Sequence, residues 1–198
     1  MTTKTHPPFY MIRHGETDWN REKRYQGRTN IPLNARGREQ AAGNGRHLAS
    51  LDHDWSGWRF FCSPLDRARE TMEIIRTSMG LAPDGYTVDD RLIEVSFGKW
   101  ERKLLEELVA EEPAEMALRD ADKWTHVPPG GESYSQAVAR VSGFLDELAG
   151  PAVIVCHGGI LRATQYIFRG GDGREIADTP VPQDRIFAFD GDRADWID

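Results

Sequence analysis

Two histidines in this 198-residue chain stand in the same local setting. His14 follows the apolar run Phe9-Tyr10-Met11-Ile12 and then Arg13, and it precedes Gly15. His157 follows Ala152-Val153-Ile154-Val155-Cys156 and precedes Gly158-Gly159. Imidazole titrates near neutrality and can act as a nucleophile. Arginine offers a planar fork of donors matched to phosphate or carboxylate. Glycine lets backbone N–H groups come close to an anion. A third apolar run, Trp58-Arg59-Phe60-Phe61-Cys62, ends at Ser63 and soon reaches Arg67, while Glu94 interrupts the apolar stretch Leu92-Ile93-Glu94-Val95. Two imidazoles, two guanidinium groups and a carboxylate are the parts of a phosphoryl-handling site. The cations stabilise the phosphoryl oxygens, and a neutral imidazole attacks phosphorus. Cations beside His14 lower its pKa and favour that neutral form. A metal site on His14, His157 and Glu94 is disfavoured, because the interleaved arginines repel a cation.

These residues need elements that carry them to one place. Residues 9–12, 58–62 and 152–156 read as buried strands and 86–88 as a short one, while 185–189 and 194–197 pair as a hairpin. Helices are expected over 35–51, 66–79, 102–110, 113–122, from Ser133 to 148, and over 160–168. Gly43 and Gly45 weaken the first of these. Residues 17–32 read as a polar loop with a turn at Gln26-Gly27. Strands alternating with helices imply an α/β fold, a three-layer sandwich with a mostly parallel central sheet flanked by helices. In such a sheet His14, His157 and Arg67 gather at the carboxyl edge, where open α/β sheets bind ligands. The segment that opens after His157 adds the positive end of a helix dipole. One domain over 1–198 is expected, with a helical insertion at about 94–131 over the site.

Bulk properties narrow the function. The net charge of −7 argues against a nucleic-acid binder held by phosphate contacts. No apolar run reaches the length of a membrane span, and residues 1–8 lack the apolar core of a signal peptide, so a cytoplasmic protein is expected. The two cysteines, Cys62 and Cys156, each end an apolar run and read as buried thiols, with a disulfide the alternative.

Arg13-His14-Gly15-Glu16-Thr17-Asp18-Trp19-Asn20 resembles the signature of the histidine phosphatase superfamily, which includes the cofactor-dependent phosphoglycerate mutases. Four more segments resemble the family's remaining motifs in order: the arginine motif at 63–71, the acidic segment at 92–101, Gly131-Glu132-Ser133, and the second-histidine motif at 156–162. The resemblance implies the phosphoglycerate mutase-like fold. It makes His14 the nucleophile that becomes phosphohistidine. Arg13, Arg67 and His157 bind the transferring group, and Glu94 is the general acid, with Glu101 a second carboxylate nearby. Asn20 matches a phosphate-pocket position; Gln26, Gly27 and Gly158 are further substrate-binding candidates. No metal or other cofactor is expected, and the partner is a small phosphorylated metabolite; a homodimer is suggested by the resemblance alone.

The same comparison separates hydrolase from mutase. Mutases carry a longer insertion with an Arg-Arg pair that grips the substrate carboxylate; here Arg119 and Lys123 are isolated. Phe97 and Gly159 stand where mutases have tyrosine and asparagine. The chain therefore resembles the compact bacterial phosphatases, including the α-ribazole phosphatase type. The alternatives are a mutase using 2,3-bisphosphoglycerate and a catalytically silent module that binds phosphate esters. Arg24, Tyr25, Arg28, Lys99 and Arg119 are candidate contacts for an anionic or planar substrate, with solvated surface the preferred reading of each.

Overall fold

The computed structural model describes residues 5–198; the first four residues of the segment read for a signal peptide lie outside that range. Six strands form one sheet: β1 (Phe9–Arg13), β2 (Arg59–Cys62), β3 (Thr87–Val88), β4 (Ala152–Cys156), β5 (Ile186–Phe189) and β6 (Ala194–Ile197). Their spatial order is β3-β2-β4-β1-β5-β6. The first four neighbours are parallel, and the terminal hairpin adds the two antiparallel strands. Eight helices accompany the sheet: α1 (Asp18–Arg21), α2 (Ala35–Ser50), α3 (Asp66–Ser78), α4 (Leu105–Glu111), α5 (Pro113–Ala121), α6 (Tyr134–Asp146), α7 (Gly158–Arg169) and α8 (Gly173–Asp178).

The three layers follow from side-chain alternation along the strands. Phe9 and Met11 of β1, Phe61 of β2, and Ala152 and Ile154 of β4 pack with Val141 and Phe144 of α6 and Leu161 of α7. Ile12, Phe60, Cys62, Val153 and Val155 turn the other way, onto Leu48 of α2 and Met72 and Ile75 of α3. Strand β4 is buried along its whole length, so its run is apolar without alternation. Cys62 and Cys156 are free buried thiols.

Four local features differ from the sequence reading. The loop over 17–32 contains α1, because Thr17 caps it and Asn20 returns the bond in a capping box. Gly45 serves helix packing: a Cβ there would lie 2.7 Å from the Ile75 carbonyl oxygen of α3. Helix α4 starts at Leu105, three residues late, since Arg102 sits at φ 76° and Leu104 bridges to Arg24. Helix α8, capped by Asp172, was not anticipated; six residues carry too little periodicity to read.

Register sets the site. Arg13 pairs with Cys156, and Cys62 with Val155, so β1, β2 and β4 end together. The ladder continues one residue further through His14 N–H to the Cys156 carbonyl (2.9 Å) and Ser63 N–H to the Val155 carbonyl (3.0 Å). His14, Ser63 and His157 therefore emerge side by side.

Candidate active site

The His14 and His157 rings lie 5.1 Å apart, tilted by 57°. Both are buried. His14 Nδ1 lies 2.7 Å from the Gly15 carbonyl oxygen, which can only accept. Arg67 donates from Nε to His14 Nε2 at 3.2 Å. One tautomer satisfies both: a neutral ring with its proton on Nδ1 and its lone pair on Nε2. Burial holds the His14 pKa well below its usual 6.5, and the charges of Arg67 and Arg13 push it down further. His157 is likewise depressed, first by burial and then by Arg67, His14 and Arg13. Its Nε2 meets the Ser63 hydroxyl at 2.6 Å, and its buried Nδ1 has no partner.

Arg67 is oriented by backbone. Its Nη1 donates to the Thr29 carbonyl at 2.8 Å and its Nη2 to the Gly27 carbonyl at 2.7 Å. Gly27 adopts φ +49°, and a Cβ there would run into the Glu101 carboxylate, so the turn requires glycine. Arg13 Nη1 donates to the Val181 carbonyl at 2.8 Å, while its buried Nε has no partner. Burial lowers both guanidinium pKa values to about 10, with Glu94 opposing; both stay charged at neutral pH.

Glu94 reaches the same edge from the loop after β3. Its Oε1 accepts from the Val95 and Gly159 N–H groups, both at 3.0 Å, the latter in the first turn of α7. A Cβ at Gly159 would lie 2.5 Å from that oxygen, so glycine leaves the carboxyl its seat. Glu101 has a different job: it accepts from Arg28 N–H, Thr29 Oγ, Ser96 Oγ and Phe97 N–H, tying two loops together.

A cavity of about 370 Å³ opens over this edge, lined by Arg13, His14, Arg67, Glu94 and Gly158 at its floor and by Asn20, Gln26 and Gly27 at one side. All the predicted site residues except His157 thus border it, and His157 lies directly beneath, against His14. Asn20 Oδ1 is engaged by Thr17 and by Gln183 Nε2. Arg24, Tyr25 and Arg119 also line the cavity, which corrects the solvated-surface reading for those three. Arg28 instead pairs with Glu132. Sequence reasoning overlooked Tyr134, Arg162 and Gln183. Arg162 lies one helical turn after Gly158 on α7, a spacing that places both on one face. Gln183 donates to the His14 carbonyl at 3.0 Å from 169 positions away, which no local signal reveals.

Residues 9–196 match the model of the histidine phosphatase superfamily, branch 1. The chain belongs to this superfamily. A relative from Salmonella choleraesuis, named "Probable phosphoglycerate mutase GpmB", is 36% identical over 133 residues. That match takes in 67% of this chain but spans only 58% of the relative's length. Among solved structures, the α-ribazole phosphatase from Shigella flexneri superposes with a TM-score of 0.77 at 27% identity, covering 91% of this chain and 89% of that one. The mycobacterial glucosyl-3-phosphoglycerate phosphatase, in complex with VO3, gives 0.76 at 25% identity, with 96% of both chains covered. The superfamily fold is the one inferred from the five motifs. Among the described residues no helix is long and apolar enough to cross a membrane.

Proposed function

We propose that this chain is a metal-independent phosphomonoester hydrolase that works through a phosphohistidine on His14, with Glu94 as general acid and base. The supporting observation is the locked imidazole. With Nδ1 committed to the Gly15 carbonyl, Nε2 is the ring's one nucleophilic atom, and it borders the cavity 3.2 Å from Arg67. When a phosphate ester binds, the Arg67 Nε–H moves from Nε2 to a phosphoryl oxygen, which frees the lone pair. Nε2 then attacks phosphorus, the P–O bond to the leaving group breaks, and that oxygen takes a proton from Glu94. In the second half, water attacks phosphorus and gives a proton to the Glu94 carboxylate; the P–N bond breaks and neutral His14 returns. Arg13, Arg67 and His157 hold the equatorial oxygens throughout, the positioning and charge stabilisation that phosphoryl transfer requires. The phosphatases among the structural relatives, the Shigella and mycobacterial ones included, support water as acceptor.

A mutase reading is favoured by the name of the Salmonella relative. One paired assay separates the two readings. Phosphate release from an aryl phosphate and interconversion of phosphoglycerates, with 2,3-bisphosphoglycerate present, are measured in EDTA on wild type and His14→Ala. Phosphate release that survives EDTA, accumulates acid-labile phosphoprotein and disappears in the variant supports the hydrolase. Rapid interconversion with little release overturns it in favour of a mutase, and binding of esters without turnover in favour of a silent module.

A further inference from the structure

The segment between α8 and β5 runs behind four residues of the cavity. The Thr179 carbonyl accepts from Arg162 Nη2 at 3.1 Å, and the Val181 carbonyl accepts from Arg13 Nη1 at 2.8 Å. Gln183 Nε2 donates to the His14 carbonyl at 3.0 Å and to Asn20 Oδ1 at 3.2 Å. Arg13, His14, Asn20 and Arg162 line the cavity, whereas Thr179, Val181 and Gln183, which hold them, do not. The segment is built to stay in place. Pro180 and Pro182 fix two of its φ angles and restrict the residue before each. The Val181 side chain is buried in the main core. From the other side of the sheet, Asn44 Nδ2 of α2 donates to the Gln183 carbonyl at 3.0 Å. Asn44 is itself buried, and this bond meets the demand of its buried amide.

These bonds decide how Asn20 is presented. The His14 carbonyl can only accept, so the Gln183 atom that faces it is the amide nitrogen. The Thr17 N–H can only donate, so the Asn20 atom that faces it is the amide oxygen. That oxygen accepts from the Thr17 N–H and hydroxyl, both at 3.1 Å, and from Gln183. Three donors occupy it. Asn20 therefore meets the cavity through Nδ2, which is a donor and suits a phosphoryl oxygen.

We infer that Gln183 is a positioning residue for phosphoryl binding: its one amide group ties the His14 backbone to Asn20 and keeps Asn20 Nδ2 turned to the phosphoryl group, with Asn44 as its anchor on α2. Gln183 does not touch the phosphate; it acts through Asn20.

This inference rests on the phosphate-ester reading of the pocket, and a double-mutant cycle keeps the two apart. The probe is inorganic phosphate, whose binding is measured by calorimetry and needs no turnover. Gln183→Met keeps the length of the side chain and removes both donated bonds. It should weaken phosphate binding about fivefold or more, the size of one hydrogen bond, and so should Asn20→Ala. The double variant should lose little beyond Asn20→Ala, because a residue that acts through Asn20 has nothing left to position. Gln183→Glu, which has the shape but no amide donor, should bind phosphate at least as poorly as Gln183→Met. Asn44→Ala leaves both Gln183 donors in place and should give a smaller loss that also vanishes in the Asn20→Ala background. It carries the test if melting curves show Gln183→Met to be unfolded. Losses that add in the double variants, wild-type affinity in Gln183→Met or Gln183→Glu, or a wild type that binds no phosphate overturns the inference. A coupled cycle in a protein that fails the hydrolase assay leaves it standing, and additive losses in an active hydrolase strike it alone.

Discussion

Arg67 donates from Nε to His14 Nε2 across 3.2 Å, so the guanidinium proposed to bind a phosphoryl oxygen rests on the ring proposed as the nucleophile. A guanidinium cannot donate to an imidazolium N–H. The contact therefore selects the neutral ring, and in the proposed mechanism Arg67 would tune the nucleophile as well as bind the substrate. The buried helix start that carries Arg67 and the strand end that carries His14 are both fixed by register, so the pair is preorganised.

His14 should accordingly stay neutral through the physiological range. Its pKa lies well below 6.5 through burial first and then Arg67 and Arg13. In the wild type, the NMR resonances of the His14 ring should not titrate between pH 8 and 6.5. Arg67→Met removes one depressing charge, so the titration should move up in pH. A His14 that titrates at the same pH in both proteins would disprove the coupling.

Stability should fall on the acid side for the same reason. His14 and His157 are both depressed below the unfolded value of 6.5. Below that pH the unfolded chain binds protons that the folded chain refuses. The stabilisation is thus complete above pH 6.5 and is lost as pH falls below it, at up to ~1.4 kcal/mol per pH unit for each histidine. Urea unfolding at pH 7.5, 6 and 5 measures this slope. His157→Gln should make it shallower by up to one histidine's share, whereas parallel curves would mean that His157 is already protonated when folded.

Much of this site was legible because its parts are chain-local. A strand end followed by Arg-His-Gly, a second ending in His-Gly-Gly, and an arginine in the first turn after a third each announce their place at a parallel sheet's edge. The supports were not legible, because they come from far along the chain. Gln183 and Val181 reach His14 and Arg13 from a segment with no pattern of its own. Arg119 reads as solvent-facing on its short helix, and only the packing of α5 over the cavity shows otherwise. Gly45 reads as a helix weakness until the approach of α3 gives it a purpose.

Gly159→Ala tests the seat of Glu94, the proposed general acid. The added methyl would meet Glu94 Oε1 at 2.5 Å and the Val95 methyls at 2.9 and 3.0 Å, so the carboxyl must shift. A proton donor matters most when the leaving group is a poor one. Turnover of an alkyl phosphate should therefore drop by about 10²-fold or more, as in Glu94→Gln, while p-nitrophenyl phosphate, whose leaving group needs no proton, should be affected far less. Equal losses on both esters would point to a disturbed phosphoryl pocket instead.

Glu101→Ala should separate a carboxylate that positions from one that transfers protons. Glu101 accepts from Arg28 N–H and Thr29 Oγ in one loop and from Ser96 Oγ and Phe97 N–H in the other. The first of these loops presents the Gly27 and Thr29 carbonyls that orient Arg67. Removing the carboxylate costs the part-buried Phe97 N–H its acceptor, at roughly 1 kcal/mol in stability, leaves the exposed Arg28 N–H to water, and loosens the carbonyls behind Arg67. Melting temperature should fall and KM should rise for every ester, because in the proposed mechanism Arg67 binds the group they share. The ratio of alkyl to aryl turnover should stay at its wild-type value, since Glu94 keeps its seat. A leaving-group dependence that steepens in Glu101→Ala as it does in Glu94→Gln would transfer the acid role to Glu101.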